Sequence, residues 1–395
     1  MKSRVLIAGG GVASIETALA LRDLAGDRVE VTIFSPRRDF VYRPYAVGEP
    51  YGTARVAHYD LAELASRCGA GFRQDSIASV DSEMRLVTTH DGEKFPYDYL
   101  VVAPGAQLLW PVPGAITFWG IADEQDVRKV MSGLRSGELH SLAFTMPSGE
   151  SWALPLYELA LLAESELSGA GIDAKLTVVT PEDSPLEIFG HRAGELVGEL
   201  LHERGIEVCT GRHPVRFENG RLITVPGDPF DVDAVVSLPK LEGRRIRGIP
   251  HDPEGFVQVD DHCRMLQRDR IFAAGDVTNF PVKQGGIATQ QADVIAEAIA
   301  AELGVEIEPQ AFDPILRGVL WTGEGPRYLQ GWLGGGHGET SSLTAQPPWQ
   351  ASEGKIVGRY LTDFIAEVES SKAAAPVTPS PGASRARPFA GFAGH

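Results

Sequence analysis

Hydrophobic positions along the chain fall into two alternating rhythms. Short apolar runs close on glycine or proline, and longer segments with apolar residues three and four apart follow them. Val5–Ala8 reads as a strand buried on both faces, and a helical stripe through Ile15, Leu19 and Ala20 comes directly after it. Val29–Ser35 reads as the next strand. Phe72 to Thr89 alternates as short antiparallel strands, and Tyr97–Ala106 is a buried strand ending in a small-residue turn. From Ser141 the pattern restarts: strand Ser141–Met146, helix Leu154–Leu167, strand Lys175–Thr180, helix Arg192–Arg204 and strand Ile206–Thr210. Asn219-Gly220, between Val215–Phe217 and Leu222–Val225, marks a hairpin. A further strand opens at Ile271 and ends in Gly275-Asp276, with a helix from about Ile287. Phe312–Tyr328 holds a glycine-rich turn between apolar strands. Lys355–Val368 spaces Ile356, Tyr360, Leu361, Phe364, Ile365 and Val368 as an amphipathic helix. From Ser370 the Ala, Pro and Ser composition has no period and predicts disorder.

Two strand–helix units in succession predict an α/β fold in which the second unit repeats the nucleotide-type topology of the first. The first unit carries chemistry. Gly9-Gly10-Gly11 sits between strand and helix, the opening of a dinucleotide-binding βαβ unit. Gly9 permits the tight turn, and Gly11 lets a pyrophosphate approach the backbone and the helix N-terminus. Ser14 occupies the place of the third glycine and is small enough for close helix–strand packing. At the end of the second strand, where an acid would hold a ribose, stand Ser35, Arg37 and Arg38. Phe40–Tyr45, FVYRPY with Arg43, fits either an aromatic plug or a wall beside a flat ring cofactor.

The second unit departs from this pattern. Its loop, Pro147-Ser148-Gly149-Glu150-Ser151-Trp152-Ala153, has one glycine, an acid that repels phosphate and a bulky Trp152. The expectation is a nucleotide-type fold that has lost or weakened nicotinamide binding. The net charge of −17 argues against nucleic acid as a partner. The three cysteines, Cys68, Cys209 and Cys263, form no CxxC pair and no metal-ligand spacing; Cys209 reads as a buried, inert thiol, and no metal is expected. No apolar stretch reaches membrane-span length and no signal peptide is recognisable. A cytoplasmic protein is expected, or one peripheral to the inner face of the cell membrane. The amphipathic C-terminal segment fits packing on the protein's own core, a homodimer contact or a membrane surface.

GGGVASIE, FVYRPYAVGEP, VVAPGA and AAGDVTNFPVKQGGIATQQA together resemble the FAD-dependent pyridine nucleotide–disulfide oxidoreductase superfamily. Within it the chain looks most like the branch of sulfide:quinone oxidoreductases, flavocytochrome c sulfide dehydrogenase and type II NADH dehydrogenases, from about Ser3 to Leu361. The resemblance implies two Rossmann-like three-layer domains and a C-terminal α+β capping region, with expected boundaries 1–110 with 241–310 for the first domain, 111–240 for the second, 311–368 for the cap and 369–395 for the disordered tail. It implies that Gly9, Gly11, Val12 and Ala13 hold the FAD pyrophosphate and that Gly105 lies along the FAD. It implies that Gly275-Asp276 brings a carboxylate to the ribitol, and that Lys283 with the Gly285–Ile287 turn, including Gly286 and Ile287, contacts the isoalloxazine. Glu158, one turn into its helix, fits either a group reaching the flavin N5 region or a plain helix-face carboxylate.

The resemblance also implies a pair of flavin-flanking cysteines for sulfide chemistry, and an intact second glycine loop for NADH. The second loop has neither, and Cys263 precedes the Gly275-Asp276 strand rather than facing a ring. The expected function is therefore an FAD-dependent oxidoreductase. It would take electrons from a small-molecule reductant, a sulfur species among the candidates, and pass them to a quinone or protein acceptor. The alternatives are an NAD(P)H-dependent reductase of the same fold and a non-catalytic FAD-binding interaction protein.

Overall fold

The computed structural model describes residues 2–119, 124–149, 152–332, 341–349 and 354–374. Among these residues seven α-helices form: α1 Val12–Leu24, α2 Leu61–Arg67, α3 Glu124–Ser136, α4 Leu154–Gly169, α5 His191–Glu203, α6 Gly285–Glu302 and α7 Leu361–Ala374.

The first sheet is wholly parallel, in the order Ile271–Ala273, Tyr99–Val102, Ser3–Ala8, Val29–Phe34, Gly71–Arg73. Side chains alternate across it, as a pleat requires. Val5, Ile7, Val31, Ile33, Tyr99 and Val101 face α1 and α6. Leu6, Ala8, Phe34, Leu100 and Val102 face the other way, onto an antiparallel meander of Ile77–Asp81, Leu86–Thr89 and Lys94–Pro96. Both faces are covered, which is why these strands read as continuous apolar runs. The stretch from Phe72 to Thr89 is thus split: Phe72 belongs to the parallel edge strand and only the later residues form the meander.

The second sheet repeats the plan. Its parallel order is Ile116–Thr117, Ala234–Ser237, Ser141–Thr145, Lys175–Val179, Glu207–Cys209. Leu142, Phe144, Leu176, Val178 and Val236 pack on α3, α4 and α5. Ala143, Val179 and Val235 pack on Leu222 of the hairpin that turns at Asn219-Gly220. Two antiparallel strands, Ala106–Leu109 and Lys240–Gly243, join the two halves. The C-terminal strands Ile315–Trp321, Pro326–Trp332 and Ser342–Thr344 form a third, antiparallel sheet, and Leu316, Leu320 and Leu329 dock it on the second core.

The C-terminal segment differs from the expected helix over Lys355–Val368. Lys355–Tyr360 is irregular, and the helix begins at Leu361. Gly358 interrupts the run, and backbone groups around it bond to side chains of other elements instead of to each other. The helix continues to Ala374, so the tail expected from 369 is helical for its first residues; the remainder, 375–395, lies outside the described residues. Leu361, Phe364, Ile365 and Val368 are buried in the first core, which is the own-core placement of the three considered. No helix among the described residues is long and apolar enough to cross a membrane.

Candidate functional site

The turn after the first strand is built by exclusion. Gly9 has φ +143°, and a Cβ there would lie 1.9 Å from the Ala103 carbonyl oxygen. Only glycine lets the two strand ends approach so closely. The Gly9 N–H donates to the Phe34 carbonyl at 2.8 Å, fixing the turn to the neighbouring strand. Gly10 is equally confined, since an added Cβ would lie within 2.8 Å of the Leu61 and Ser35 side chains. Gly11 is the opposite case: an added Cβ would meet nothing within 4 Å. It caps α1, whose N-terminus carries no side-chain cap, so the first N–H groups and the positive end of the helix dipole face open space.

That space is a cavity of about 560 Å³, within the usual range for a small-molecule or cofactor site. Gly9, Gly11, Val12, Ala13, Ser35, Arg43, Gly105, Gly275, Asp276, Lys283 and Glu158 all line it. Gly105 also has nothing within 4 Å of an added Cβ. Gly286 and Ile287 do not line it. α6 already starts at Gly285, and its first turn carries Ile287 into the second core, leaving Gln284 and Gly285 at the wall. Ser35 is buried, and its Oγ accepts from the Arg37 N–H at 3.2 Å.

Charge in the cavity is predominantly positive on one side. Arg37, Arg43 and Arg244 line it together. Burial and the neighbouring Arg37 lower the Arg43 pKa, while Asp276 opposes them. Burial raises the Asp276 carboxyl, and Lys283 and Arg43 pull it back. Gln291, on α6, holds the Asp276 turn by accepting from the Gly275 N–H at 2.7 Å. The Lys283 ammonium donates to the Thr278 carbonyl at 2.5 Å and lies 3.8 Å from the centre of the Phe256 ring.

The far wall holds a buried ion pair. Glu158 Oε1 and Lys355 Nζ are 2.5 Å apart, with side chains 1% and 5% exposed. The Trp321 backbone N–H donates to the same oxygen at 2.9 Å. Lys355 Nζ also sits 4.3 Å over the Trp321 ring, which stacks on Tyr45 at 5.5 Å. Burial raises the Glu158 carboxyl and lowers the Lys355 ammonium, and each partner pulls the other back towards its charged form. The arrangement is an enclosed ion pair on the cavity wall, with the Lys355 ammonium donating to the Glu158 carboxylate. Of the two sequence readings of Glu158, the plain helix-face carboxylate does not describe it, because the side chain is enclosed. FVYRPY divides between its two readings: Phe40, Val41, Arg43 and Pro44 line the cavity, while Phe40 and Tyr42 are buried in the first core and Tyr45 packs against it.

Lys355 was not legible as a site residue, because it reaches Glu158 across nearly two hundred positions of chain. The only signal was a lysine in an otherwise apolar segment. Trp321 was missed for the same reason, since it meets Glu158 across 163 positions.

The strand-to-helix loop of the second unit is described only in part. Glu150 lies outside the described residues. Trp152 lines the cavity and packs on Phe189, with ring centres 5.7 Å apart. Beyond the strand Lys175–Val179, Glu182 accepts from the Tyr157 hydroxyl at 2.5 Å and from Thr180 at 2.9 Å. Burial pushes the Glu182 carboxyl up to about 7. The acid beyond the strand end, where a nicotinamide dinucleotide's ribose would seek a partner, is thus spent on Tyr157. The cysteines line none of the cavity. Cys68 and Cys263 are fully enclosed, and burial raises the Cys68 thiol to about 12. Cys209 is half-buried rather than fully buried.

Comparison with known proteins gives the family and the fold. The family model of the pyridine nucleotide-disulphide oxidoreductases matches residues 3–141 and 157–301. A sulfide-quinone reductase of Aquifex aeolicus is 26% identical over 303 residues, covering 71% of this chain and 70% of the relative. An NADH dehydrogenase-like protein of Mycobacterium tuberculosis is 26% identical over 307 residues, covering 70% and 72%. The crystal structure of the Aquifex aeolicus sulfide:quinone oxidoreductase superposes with a TM-score of 0.79 at 23% identity, covering 93% of this chain and 90% of that one. The chain belongs to the pyridine nucleotide-disulphide oxidoreductase family and is an FAD-dependent oxidoreductase.

Proposed function

We propose that this protein passes electrons from a small reductant to a quinone or protein acceptor, with the Glu158–Lys355 pair handling the accompanying proton. The residues fit FAD. Gly11 and Gly105 present bare backbone to the cavity, the α1 N-terminus and Arg43 offer positive charge to a pyrophosphate, and Asp276 offers an acceptor to sugar hydroxyls. Gly9, Val12, Ala13, Ser35, Gly275 and Lys283 complete this wall. FAD, when bound, supplies acceptance of two electrons from the donor and their release singly or in pairs.

The single observation that carries the reading is the buried Glu158–Lys355 pair on the wall of the cavity that the glycine turn opens into. Reduction of a quinone consumes protons as well as electrons, and an ammonium donating to a carboxylate in a dry wall can hold one ready. The named activities of the relatives, sulfide-quinone reductase and NADH dehydrogenase-like protein, support the same class. As donor, a nicotinamide cofactor has the Tyr157–Glu182 bond against it, and a thiol-relay route has no cysteine at the cavity.

Anaerobic titration of the purified yellow protein with sulfide, NADH and NADPH, read at the flavin band and followed by addition of a soluble quinone, tests this. Reduction by a small donor and reoxidation by the quinone are expected. A colourless protein that takes up no FAD overturns the reading. Rapid bleaching by NADH or NADPH replaces the small reductant with a nicotinamide donor.

A further inference from the structure

Lys355 does not come to the cavity on a helix or strand. It sits on the irregular segment 354–360, and bonds from other elements hold that segment and the start of α7 in place. The Ile356 N–H donates to the Tyr42 hydroxyl at 2.8 Å. The Thr289 hydroxyl of α6 donates to the Val357 carbonyl at 3.0 Å. The Tyr360 N–H donates to Glu16 Oε1 at 2.9 Å, and the Leu361 N–H to Glu16 Oε2 at 2.6 Å. Glu16 is completely buried on α1, within two turns of the glycine loop. A carboxylate there is expensive to bury, and nothing in the FAD-binding turn requires it.

What it does is specific. Both of its oxygens are taken by the first N–H groups of α7, so it caps from a distance the helix that follows Lys355. Gly358 packs against it: a Cβ at 358 would lie 3.1 and 3.2 Å from the two carboxylate oxygens and 2.9 Å from Thr289 Cγ2. The segment is therefore pressed onto α1 and α6 by the Glu16 carboxyl group, which burial raises and which also faces the Asp293 carboxyl of α6, and is fixed at its other end by Tyr42.

We propose that Glu16 is a positioning residue for the reaction: by clamping the start of α7 it strings the segment 354–360 taut across α1 and α6 and so holds the Lys355 ammonium on Glu158. Glu16 touches neither the cavity nor Lys355, and its effect on the site passes through the backbone between residues 355 and 361. The functional part of this rests on the reading of the Glu158–Lys355 pair given above.

The test uses the FAD-loaded protein and two readouts. Limited trypsin digestion, followed by mass spectrometry for the fragment ending at Arg359, reports release of the segment. Loss of two charge-assisted bonds and a helix cap in Glu16→Ala accelerates this cut by at least about tenfold. Glu16→Gln, which keeps the shape and one acceptor, gives an intermediate rate and serves if the alanine variant does not fold. The flavin midpoint potential, measured by equilibration with reference dyes, reports the ammonium. Lys355→Met lowers it, Glu16→Gln lowers it in the same direction, and the double variant matches Lys355→Met alone. Equal shifts from Glu16→Gln with and without Lys355, or no shift, overturn the positioning role. Unchanged cleavage at Arg359 overturns the clamp. A protein that binds no flavin overturns the functional reading instead, and the digestion still decides the clamp.

Discussion

Replacing Lys355 by Met keeps the aliphatic stem and removes the charge, which leaves Glu158 in the wall with one remaining partner, the Trp321 N–H. A lone buried carboxylate has two courses. It can stay ionised at a cost of several kcal/mol, or it can take a proton. Proton uptake limits the loss, because it costs about 1.4 kcal/mol for each pH unit above the ordinary glutamate value of about 4.3, or about 3.7 kcal/mol at pH 7. The sign follows from the direction of the shift. Burial raises the Glu158 carboxyl and Lys355 is the main group holding it down, so removing Lys355 raises it further and the folded variant binds a proton that the unfolded chain releases. Its deficit is absent below the unfolded value and grows as pH rises, reaching about 1 kcal/mol at pH 5. Urea denaturation of wild type and Lys355→Met at pH 5, 6 and 7 measures it. The companion variant Glu158→Leu with Lys355→Met removes both charges and recovers most of the loss. A deficit that does not change with pH, one below about 1 kcal/mol at pH 7, or a double variant no better than the single one refutes the reasoning.

Gly9→Ala forces a Cβ to 1.9 Å from the Ala103 carbonyl, so the turn must open; loss of flavin from the purified protein and a fall in stability of about 3 kcal/mol or more are expected by absorbance and denaturation. NADH and NADPH, mixed anaerobically with the enzyme, leave the flavin band unbleached on the time scale of turnover. Glu182→Ala, which frees the Tyr157 hydroxyl, does not by itself restore reduction, because Trp152 still lines the cavity. Asp293 on α6 is pushed up to about 8 by burial and by Glu16, with Glu297 acting in the same direction and Arg359 against it. A raised acid costs stability above its unfolded value and increasingly so until its folded value is passed. Asp293→Asn therefore gains on wild type by about 1.4 kcal/mol per pH unit between pH 5 and 8, read as melting temperature at both ends of that range.

The first half of the cavity was legible because its chemistry is local. Gly9, Gly11, Gly105 and the Gly275-Asp276 strand end each follow a buried strand, and a parallel sheet delivers all its strand ends to one edge. Once the apolar runs are read as strands of one sheet, their terminal residues have to converge. Ser35 and Arg43 come with the same edge. Gly286 and Ile287 were misplaced by the position of a single helix start: α6 begins at Gly285, and two residues of helix turn a side chain by more than half a circle.

The far wall was not legible, and the reason is physical rather than a shortage of pattern. Ile356, Tyr360, Leu361, Phe364, Ile365 and Val368 do have helical spacing, and the local preference over Lys355–Tyr360 is to continue that helix. The backbone there instead gives its N–H groups to Tyr42 and Glu16, and a buried carboxylate accepting two of them outweighs one turn of marginal helix. Nothing in the local pattern marks Glu16; α1 is covered on several sides, by α6 and α7 as well as by the sheet. A charged residue on a helix that is buried all round has to serve some other backbone. In this chain that backbone is the one carrying Lys355, which joins the glycine-turn helix to the opposite wall of the cavity without either touching the other.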